Sequence, residues 1–309
     1  MTRRDFLRMT AAAMFTVAAS PFSISLANDL TFLLESTDDS VPRDANIVAF
    51  FSDTHIRAPE TQPEPQRLLK CVKAVLNMNP RPATLLCYGD MAFFEGKVQE
   101  YQIFKKLMAP IDKAGIKWET MMGNHDRLNN FYEAFPERKE TNPPVKDRYV
   151  HIVRTPRADF ILLDSYIQGQ VRGEIRQDQK DWLIDQLKKY KVATKPVFVG
   201  CHHLLNETNL TDTLLEYPFC PGYLHGHAHK WMIETVNGLP SLGFAATGQC
   251  GDLGYAVANL TATDATFVPF VDTYIKPSWG GVKMDAQAIE IYLKSIEEQT
   301  LVMPFGARQ

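Results

Sequence analysis

The chain of 309 residues contains few cysteines, five in all, and none of them forms a C-x-x-C pair. Their number is odd and their positions are scattered, which does not match a disulfide framework. Cys71, Cys87 and Cys201 lie in apolar runs, where a free cysteine usually behaves as a small core residue. We therefore expect buried, reduced cysteines, and a single disulfide stays open as an alternative.

The chain has no excess of positive charge, because 33 Lys and Arg residues stand against 36 Asp and Glu residues, for a formal net charge of -3. A nucleic-acid-binding surface usually leaves a basic excess, and no basic tract here is interleaved with aromatic residues. We therefore expect no nucleic-acid-binding surface. The sequence also has no internal repeat and no low-complexity tract. Its hydrophobic content of 45% fits an ordinary globular protein with one large domain or two small ones.

The first 27 residues resemble a twin-arginine export signal. Its features are the pair Arg3-Arg4, an apolar pair at positions 6 and 7, an alanine-rich stretch over residues 9–24, and small residues at Ser25 and Ala27 of a cleavage site. An N-terminal helix or membrane anchor is the alternative, but the stretch is short for a span and is interrupted by Pro21. We expect a periplasmic or otherwise exported protein that uses the twin-arginine export machinery and has no membrane span in the mature chain. Whether the signal is cleaved stays open.

Strand-like apolar runs alternate with helical patterns after a polar segment, residues 28–45, which we interpret as a linker. The predicted strands cover residues 47–51, 84–88, 117–122, 149–154, 159–163, 196–200 and 223–224, with short antiparallel strands over 232–271. The predicted helices cover residues 65–78, 97–114, 177–190 and 285–299, and residues 127–147 form a long loop with one short helix. Continuous apolar runs are typical of strands covered on both faces. The pattern predicts an α/β fold with two sheets flanked by helices, in which the chemistry lies at the carboxyl ends of strands.

Five predicted strands are each followed by residues that can bind metal. They are Asp53 and His55, then Asp90, then Asn124, His125 and Asp126, then His202 and His203, and finally His227 and His229. Carboxylate, amide oxygen and imidazole together suit ions such as Mn, Fe and Zn. About seven such side chains are too many for one tetrahedral ion and suit two ions roughly 3.5 to 4 Å apart. A structural zinc domain is excluded because the clusters contain no cysteine.

The five clusters resemble the motifs of the calcineurin-like metallophosphoesterases, and they occur in that family's order. The family pattern of D-x-H, G-D, G-N-H-[DE], H and G-H-x-H is matched by Asp53 and His55, Gly89-Asp90, residues 123–126, His202, and residues 226–229. Residues 160–165, with Trp182-Leu183 downstream, are similar to its phosphodiesterase-type branch. We therefore expect a four-layer αββα sandwich with two mixed β-sheets flanked by helices. The metallophosphoesterase domain would cover residues 46–275, and a helical extension, residues 276–309, would pack on it.

The resemblance also implies a role for each residue. Asp53, His55 and His229 would hold one metal, Asn124, His202 and His227 the second, and Asp90 would bridge both. His125 would act as general acid or hydrogen-bond donor, and Asp126 would orient its ring. Two divalent or trivalent ions (Mn, Fe or Zn) would lower the pKa of a bridging water, so that hydroxide is available near pH 7. We expect hydrolysis of a small phosphate ester, and of phosphodiesters more than monoesters.

Several assignments stay open. His203 is a candidate for supporting the ligands or contacting substrate, whereas His151 and His225 are expected to be structural. Many relatives have proline after the histidine pair, but residues 204–207 here are Leu-Leu-Asn-Glu, which leaves specificity open. Arg127, Asn129, Asn130 and Tyr132 either line the substrate pocket or are solvated. The alternative functions are a phosphomonoesterase or nucleotidase at the same site, or a non-catalytic metal-binding module. The presence of both His125 and Asp126 argues against the last of these.

Overall fold

The computed structural model describes residues 26–193 and 195–306, so most of the predicted export signal lies outside the described residues. Its strands are β1 (Arg43–Phe51), β2 (Arg81–Cys87), β3 (Lys117–Thr120), β4 (His151–Arg154), β5 (Asp159–Leu162), β6 (Val197–Gly200), β7 (Tyr223–His225), β8 (Met232–Val236), β9 (Leu239–Gly243), β10 (Gly251–Leu260), β11 (Asp264–Ile275) and β12 (Leu301–Pro304). They form two six-stranded mixed sheets, with orders β12-β11-β10-β1-β2-β3 and β4-β5-β6-β7-β9-β8. The predicted pair of mixed sheets is confirmed.

Helices cover the outer faces of the two sheets. They are α1 (Leu26–Ser36), α2 (Pro63–Leu76), α3 (Val98–Lys113), α4 (Leu128–Ala134), α5 (Gln177–Ala193), α6 (Thr211–Leu215) and α7 (Ala286–Glu297), with single 3-10 turns at Pro136–Arg138 and Leu205–Glu207. Helices α1 to α3 pack on the first sheet, and Leu183 and Leu187 of α5 pack on the second. The predicted four-layer sandwich is therefore confirmed, and the predicted long helices agree with α2, α3, α5 and α7 within three residues at each end.

The apolar core between the sheets explains the uninterrupted apolar runs in the sequence. In β1, Val48 and Phe50 belong to the core between the sheets, whereas Ala49 and Phe51 pack toward the helices. The Phe50 ring stacks on Phe244 of the second sheet's connecting segment, with ring centroids 4.7 Å apart. Because both faces of the strand are covered, every position along this part of β1 is apolar.

The carboxyl ends of parallel strands from both sheets meet at one edge of the sandwich. Strands β1, β2 and β3 are parallel to one another, as are β5, β6 and β7. The loop after β1 is joined to the loop after β2 by a hydrogen bond from Asp53 N to Gly89 O of 3.1 Å. It is joined to the second sheet by a hydrogen bond from His227 N to Asp53 Oδ2 of 3.1 Å. All five predicted clusters of metal-capable residues lie at this edge.

The segment predicted as a linker, residues 28–45, is instead mostly helix and strand. Helix α1 buries Leu26, Leu30 and Leu33 against α2 and α3, and β1 already begins at Arg43. The spacing of these leucines places them on one helical face, and the intervening Asp, Ser and Thr residues occupy the solvent face. The polar composition of residues 28–45 led to their interpretation as a linker. The predicted cleavage position after Ala27 lies within the first turn of α1.

The C-terminal extension contains a strand as well as the predicted helix. Helix α7 buries Ile296, and β12 pairs antiparallel with β11 from Asp264↔Pro304 to Phe267↔Leu301. The preceding strands were predicted to be short, but β10 and β11 contain 10 and 12 residues, because both run the length of the first sheet. Within the described ranges, no helix has the length and apolar character needed to cross a membrane.

All five cysteines lie in the described part of the chain, all are buried, and none forms a disulfide. Cys71 and Cys87 lie in the core beneath the helices, and Cys201 lies in the core between the sheets. The prediction of core cysteines is confirmed, and the single disulfide left open by the sequence does not form here.

The packing of α1 predicts the effect of a truncation within it. Leu30→Ala should lower the free energy of unfolding by about 2 to 5 kcal/mol, because a buried leucine leaves a cavity when it is shortened. Phe32→Ala is the matched control, since Phe32 lies on the same helix and is 69% exposed. Urea denaturation would measure both. Equal midpoints for the two variants would show that α1 does not pack on the core.

Candidate metal centre

The loops after β1, β2, β6 and β7 bring six of the predicted ligands into two adjacent groups. The first group is Asp53, His55 and His229, and the second is Asp90, His202 and His227. Within each group, one ligand atom per residue lies within 4.8 Å of the other two. The two halves of the predicted dinuclear site therefore lie side by side. Each half combines residues from both sheets.

Asp53 divides its two carboxylate oxygens between anchoring and the cluster. Its Oδ2 accepts hydrogen bonds from Ser52 Oγ at 2.5 Å and from His227 N at 3.1 Å. Its Oδ1 faces the imidazoles, 3.2 Å from His229 Nε2 and 3.8 Å from His55 Nε2. The hydrogen bonds to Oδ2 fix the plane of the carboxylate. The other oxygen, Oδ1, is therefore directed at the imidazole nitrogens of His55 and His229.

Asp90 has the same arrangement, and its free oxygen lies between the two groups. Its Oδ1 accepts a hydrogen bond from His125 N at 2.9 Å. Its Oδ2 lies 3.1 Å from His202 Nε2 and 3.6 Å from His55 Nε2. One oxygen is therefore within reach of an imidazole from each group, which is the position that a bridging carboxylate requires.

Backbone carbonyls set the orientation of two of the imidazoles. His202 Nδ1 pairs with Tyr88 O at 2.7 Å, and His229 Nδ1 pairs with Cys250 O at 3.0 Å. A carbonyl oxygen only accepts hydrogen bonds, so each Nδ1 carries a proton and donates it. In a neutral ring, Nε2 then presents its lone pair to the cluster, as a metal-binding histidine does.

Unpartnered polar atoms at the cluster fit a bound cation. In residues 26–193 and 195–306, hydrogen-bond partners are lacking for the buried atoms Asp53 Oδ1, Asn124 Oδ1 and His202 Nε2. Buried polar atoms are almost always paired, because an unpaired one costs free energy. Asn124 Oδ1 is the predicted amide ligand. Carboxylate, amide and imidazole atoms left without partners match the donor set of Mn, Fe or Zn ions.

Charge in this cluster is balanced between carboxylates and imidazoles. Burial raises the pKa of the Asp53 and Asp90 carboxyls, but His229 and His202 outweigh burial and hold each pKa below its ordinary value. Burial lowers the pKa of His202 and His229, but the facing carboxylates raise the pKa of His202 to about 9 and that of His229 well above its usual range. The two buried carboxylates therefore favour positive charge beside them. Cations would supply it with neutral imidazoles.

The backbone at this site is strained. Five predicted ligands have positive φ, namely Asp53 (49°), His55 (42°), Asp90 (50°), His227 (65°) and His229 (52°). Residues with a side chain rarely adopt this region, and each such residue costs on the order of 1 to 3 kcal/mol. Strain of this kind persists only where surrounding structure enforces it, which is typical of functional sites.

Two glycines are required by close packing at the cluster. A Cβ atom at Gly123 would overlap with Asp90 Oδ1, and one at Gly226 would overlap with Ser52 Oγ and lie 2.9 Å from Asp53 Oδ2. The glycines that precede Asn124 and His227 therefore allow the backbone to approach the carboxylates of Asp90 and Asp53 closely.

Comparison with known proteins agrees with this geometry. Residues 47–231 match the Metallophos family, which is described as calcineurin-like phosphoesterase. The chain belongs to the calcineurin-like phosphoesterase family. Its fold, its clustered ligands and its relatives support a metal-dependent phosphoesterase.

Individual relatives of this phosphoesterase carry phosphodiesterase names. The "Probable glycerophosphodiester phosphodiesterase GpdQ" of Arcobacter nitrofigilis is 26% identical over 60% of this chain and 72% of that protein. The "3',5'-cyclic adenosine monophosphate phosphodiesterase CpdA" of Pseudomonas aeruginosa is 28% identical over 63% of this chain and 72% of that protein. A dimetal phosphatase from Danio rerio superposes with a TM-score of 0.60 at 12% identity, covering 85% of this chain and 99% of that one, which is a likeness of fold.

The predicted general acid of the phosphoesterase, His125, lies beside the ligands and is partly open to solvent. Its Nε2 is 4.0 Å from Asp90 Oδ2, and its side chain is 20% exposed, whereas the His55 and His202 side chains are buried. Its Nδ1 pairs with Phe94 O at 3.2 Å and therefore carries a proton. Nε2 is left facing the centre, where it can hold or release a second proton.

The predicted pairing of Asp126 with the His125 ring is wrong. The ring is oriented by the Phe94 carbonyl, and the Asp126 carboxylate accepts four other hydrogen bonds, from the N–H groups of Met91, Ala92 and Gly123 and from the Tyr101 hydroxyl. These bonds hold the loop after β2 against the loop after β3. Asp126 therefore positions the backbone around the site. Each of its two oxygens already accepts two hydrogen bonds, so neither is available to accept one from the imidazole.

The remaining histidines have structural partners. Both ring nitrogens of His203 are occupied, Nδ1 by Ser165 Oγ at 2.7 Å and Nε2 by Val171 O at 2.9 Å. His203 therefore supports the loop that carries His202. His225 is buried at the end of β7, and His151 on β4 lies 3.8 Å from a Glu140 oxygen.

A polar cavity of about 460 Å³ adjoins the loop of Asp126. Arg127, Asn129 and Asn130 line it, whereas Tyr132 is not among its described lining residues.

Two residues that contribute to the metal centre or its surroundings were not identified from the sequence. Tyr101 donates to Asp126 from the middle of α3, a position without any motif. Glu207, from the turn that replaces the usual proline, lies 4.0 Å from His227 Nε2. Only the departure from the family pattern at residues 204–207 pointed toward it.

The packing at Gly123 predicts a loss of metal affinity on substitution. Gly123→Ala should weaken Mn²⁺ binding by about 10- to 100-fold, because the new methyl group displaces the Asp90 carboxylate that supports the site. Gly306→Ala is the control, since no atom lies within 4 Å of the position its Cβ would take. Equilibrium dialysis against Mn²⁺, with circular dichroism as a check on folding, would measure the effect. An unchanged affinity for Gly123→Ala would contradict the packing described.

Proposed function

We propose that this chain is a phosphodiesterase with a dinuclear metal centre. The observation that carries the proposal is the convergence of ligand atoms from four strand ends into two adjacent groups around Asp90. Asp53, His55 and His229 would hold one ion, and Asn124, His202 and His227 the other. The donor set suits Mn, Fe or Zn.

The catalytic contribution of the chain itself is a proton at a defined atom. When bound, two such ions polarise the phosphoryl group and make a nucleophile available from water near neutral pH. His125 then donates a proton from Nε2 to the leaving-group oxygen, while the Phe94 carbonyl holds the ring through Nδ1. The carbonyls of Tyr88 and Cys250 keep the rings of His202 and His229 oriented through Nδ1 throughout.

The preference for diesters rests on relatives and on local charge. The names of the relatives from Arcobacter nitrofigilis and Pseudomonas aeruginosa refer to phosphodiester substrates. Glu207 adds a negative charge 4.0 Å from His227 Nε2, at the rim of the site. A phosphomonoester carries about one more negative charge than a diester, so this carboxylate repels the monoester more.

Metal-reconstituted protein should hydrolyse bis-p-nitrophenyl phosphate with a kcat/KM roughly tenfold or more above that for p-nitrophenyl phosphate, since one repulsive contact near a protein surface costs on the order of 1 kcal/mol or more. His125→Ala should keep both metal ions and lose about 10² to 10⁴ in kcat, because a general acid contributes that much. His151→Ala is the matched control, as it removes an imidazole outside the cluster.

Three results would overturn these assignments. If neither ester is turned over by protein that holds both ions, the chain is a metal-binding module without catalysis. If His125→Ala retains full activity, proton donation by His125 is wrong. A preference for p-nitrophenyl phosphate would instead identify a monoesterase.

We also infer export by the twin-arginine route, on the basis of Arg3-Arg4 and the apolar stretch that follows. The absence of disulfides among the described residues suits a protein that folds before export. Replacing Arg3-Arg4 by Lys-Lys should strongly reduce the exported fraction, because that machinery reads the arginine pair. Cell fractionation followed by immunoblotting would measure it, and unchanged export would refute the assignment.

A further inference from the structure

Two exposed aromatic side chains lie beside different histidines of the metal centre. Trp279 is 62% exposed, and its ring centroid lies 5.2 Å from that of His229. Phe94 is 53% exposed, and its ring centroid lies 4.9 Å from that of His125. Between them, the His55 ring lies 5.2 Å from His125 and 4.9 Å from His229. The five rings thus form a continuous series of ring contacts that begins and ends with an exposed aromatic ring.

Trp279 comes from a segment beyond the family match, which ends at residue 231. The segment is held by a hydrogen bond from Tyr274 Oη to Val282 O at 3.2 Å. It turns at Gly281, whose φ of +87° suits glycine. This bond and this turn hold the loop that carries Trp279 in place while its ring stays exposed to solvent.

The extension is also tied directly to the loop of His229. Tyr292 on α7 donates a hydrogen bond to Asp252 Oδ2 at 3.1 Å, and Asp252 N donates to His229 O at 2.9 Å. The helix that follows Trp279 and the ligand loop therefore share one anchor. The position of Trp279 relative to His229 is built into the fold.

Phe94 is equally well placed on the other side. Its carbonyl holds His125 Nδ1, and its ring packs on Phe93 with centroids 4.3 Å apart. Phe93 in turn lies beneath the Arg57 guanidinium, 3.9 Å from its ring centroid. The exposed ring is therefore the outermost member of a packed group beside the proton donor.

We propose that Trp279 and Phe94 form an aromatic subsite for planar organic groups of the phosphodiester. Phe94 packs on the leaving group beside His125, and Trp279 packs on the group retained on phosphorus beside His229. This inference rests on the proposed phosphodiesterase function and adds a substrate class to it. Exposed aromatic faces bind planar rings by stacking, irrespective of their hydrogen-bonding pattern. The subsite therefore favours aryl and heteroaromatic esters, nucleosides included, over glycerol esters.

Binding of two non-hydrolysable anions tests the Trp279 half without catalysis. We expect metal-loaded protein to bind phenylphosphonate about tenfold more tightly than methylphosphonate, as measured by calorimetry, because one stacked ring is worth roughly that factor. Trp279→Ala should abolish the difference and leave methylphosphonate affinity unchanged, whereas Trp279→Phe should keep part of it. Val282→Ala is the control, since Val282 lies in the same loop and is 70% exposed.

Two diesters with the same leaving group separate the two aromatic residues. Methyl p-nitrophenyl phosphate and bis-p-nitrophenyl phosphate both release p-nitrophenol, and they differ only in the retained group. Trp279→Ala should lower kcat/KM for the bis ester about tenfold and leave the methyl ester within about twofold, if stacking on the retained ring is lost. Phe94→Ala should lower kcat/KM for both esters by a similar factor.

The outcomes distinguish this inference from the function on which it rests. Absence of turnover of both diesters by the wild-type enzyme would refute the proposed function. Normal turnover, with the same ratio between the two esters in Trp279→Ala as in the wild type, would refute the aromatic subsite alone. Equal binding of phenylphosphonate and methylphosphonate by the wild-type protein would refute it as well.

Discussion

The charge balance around two buried carboxylates is the constraint on which the rest of the structure depends. Asp53 and Asp90 are about 0% and 1% exposed, and a buried carboxylate is strongly unfavourable without a compensating positive charge. Each has one oxygen anchored by hydrogen bonds and the other directed at imidazole nitrogens. Positive charge must therefore lie among these side chains. This requirement explains why imidazoles from four separate loops converge on them.

The αββα sandwich supplies the rigidity that this arrangement needs. Ligands in a left-handed backbone conformation carry a strain that isolated loops would release. Here each loop is held at the end of a buried strand, and hydrogen bonds such as those accepted by Asp126 join neighbouring loops. The stability of the packed sheets offsets the strain at the site. The backbone conformation that the site needs therefore lowers the stability of the fold locally, and the large packed core compensates for that loss.

The C-terminal extension, which lies beyond the family match, contributes to the surroundings of the site. Its strand β12 completes the first sheet, and its helix α7 reaches Asp252 through Tyr292. Asp252 also contacts the backbone of His229, so a segment distant in sequence sets the surroundings of a ligand. The ligands belong to the family pattern, whereas Trp279, one half of the proposed aromatic subsite, lies beyond the family match that ends at residue 231.

The sequence by itself determined the α/β architecture, the positions of most elements and the metal-capable residues, because strand periodicity and strand-end motifs are local signals. It did not determine which hydrogen bonds Asp126 makes, since its partners lie in a different loop and on α3. Helix α1 was misread as a linker because its apolar face is evident only against the helices that cover it. The place of Trp279 beside His229 also depended on tertiary structure. A single exposed tryptophan carries no pattern, and only the fold decides what it faces.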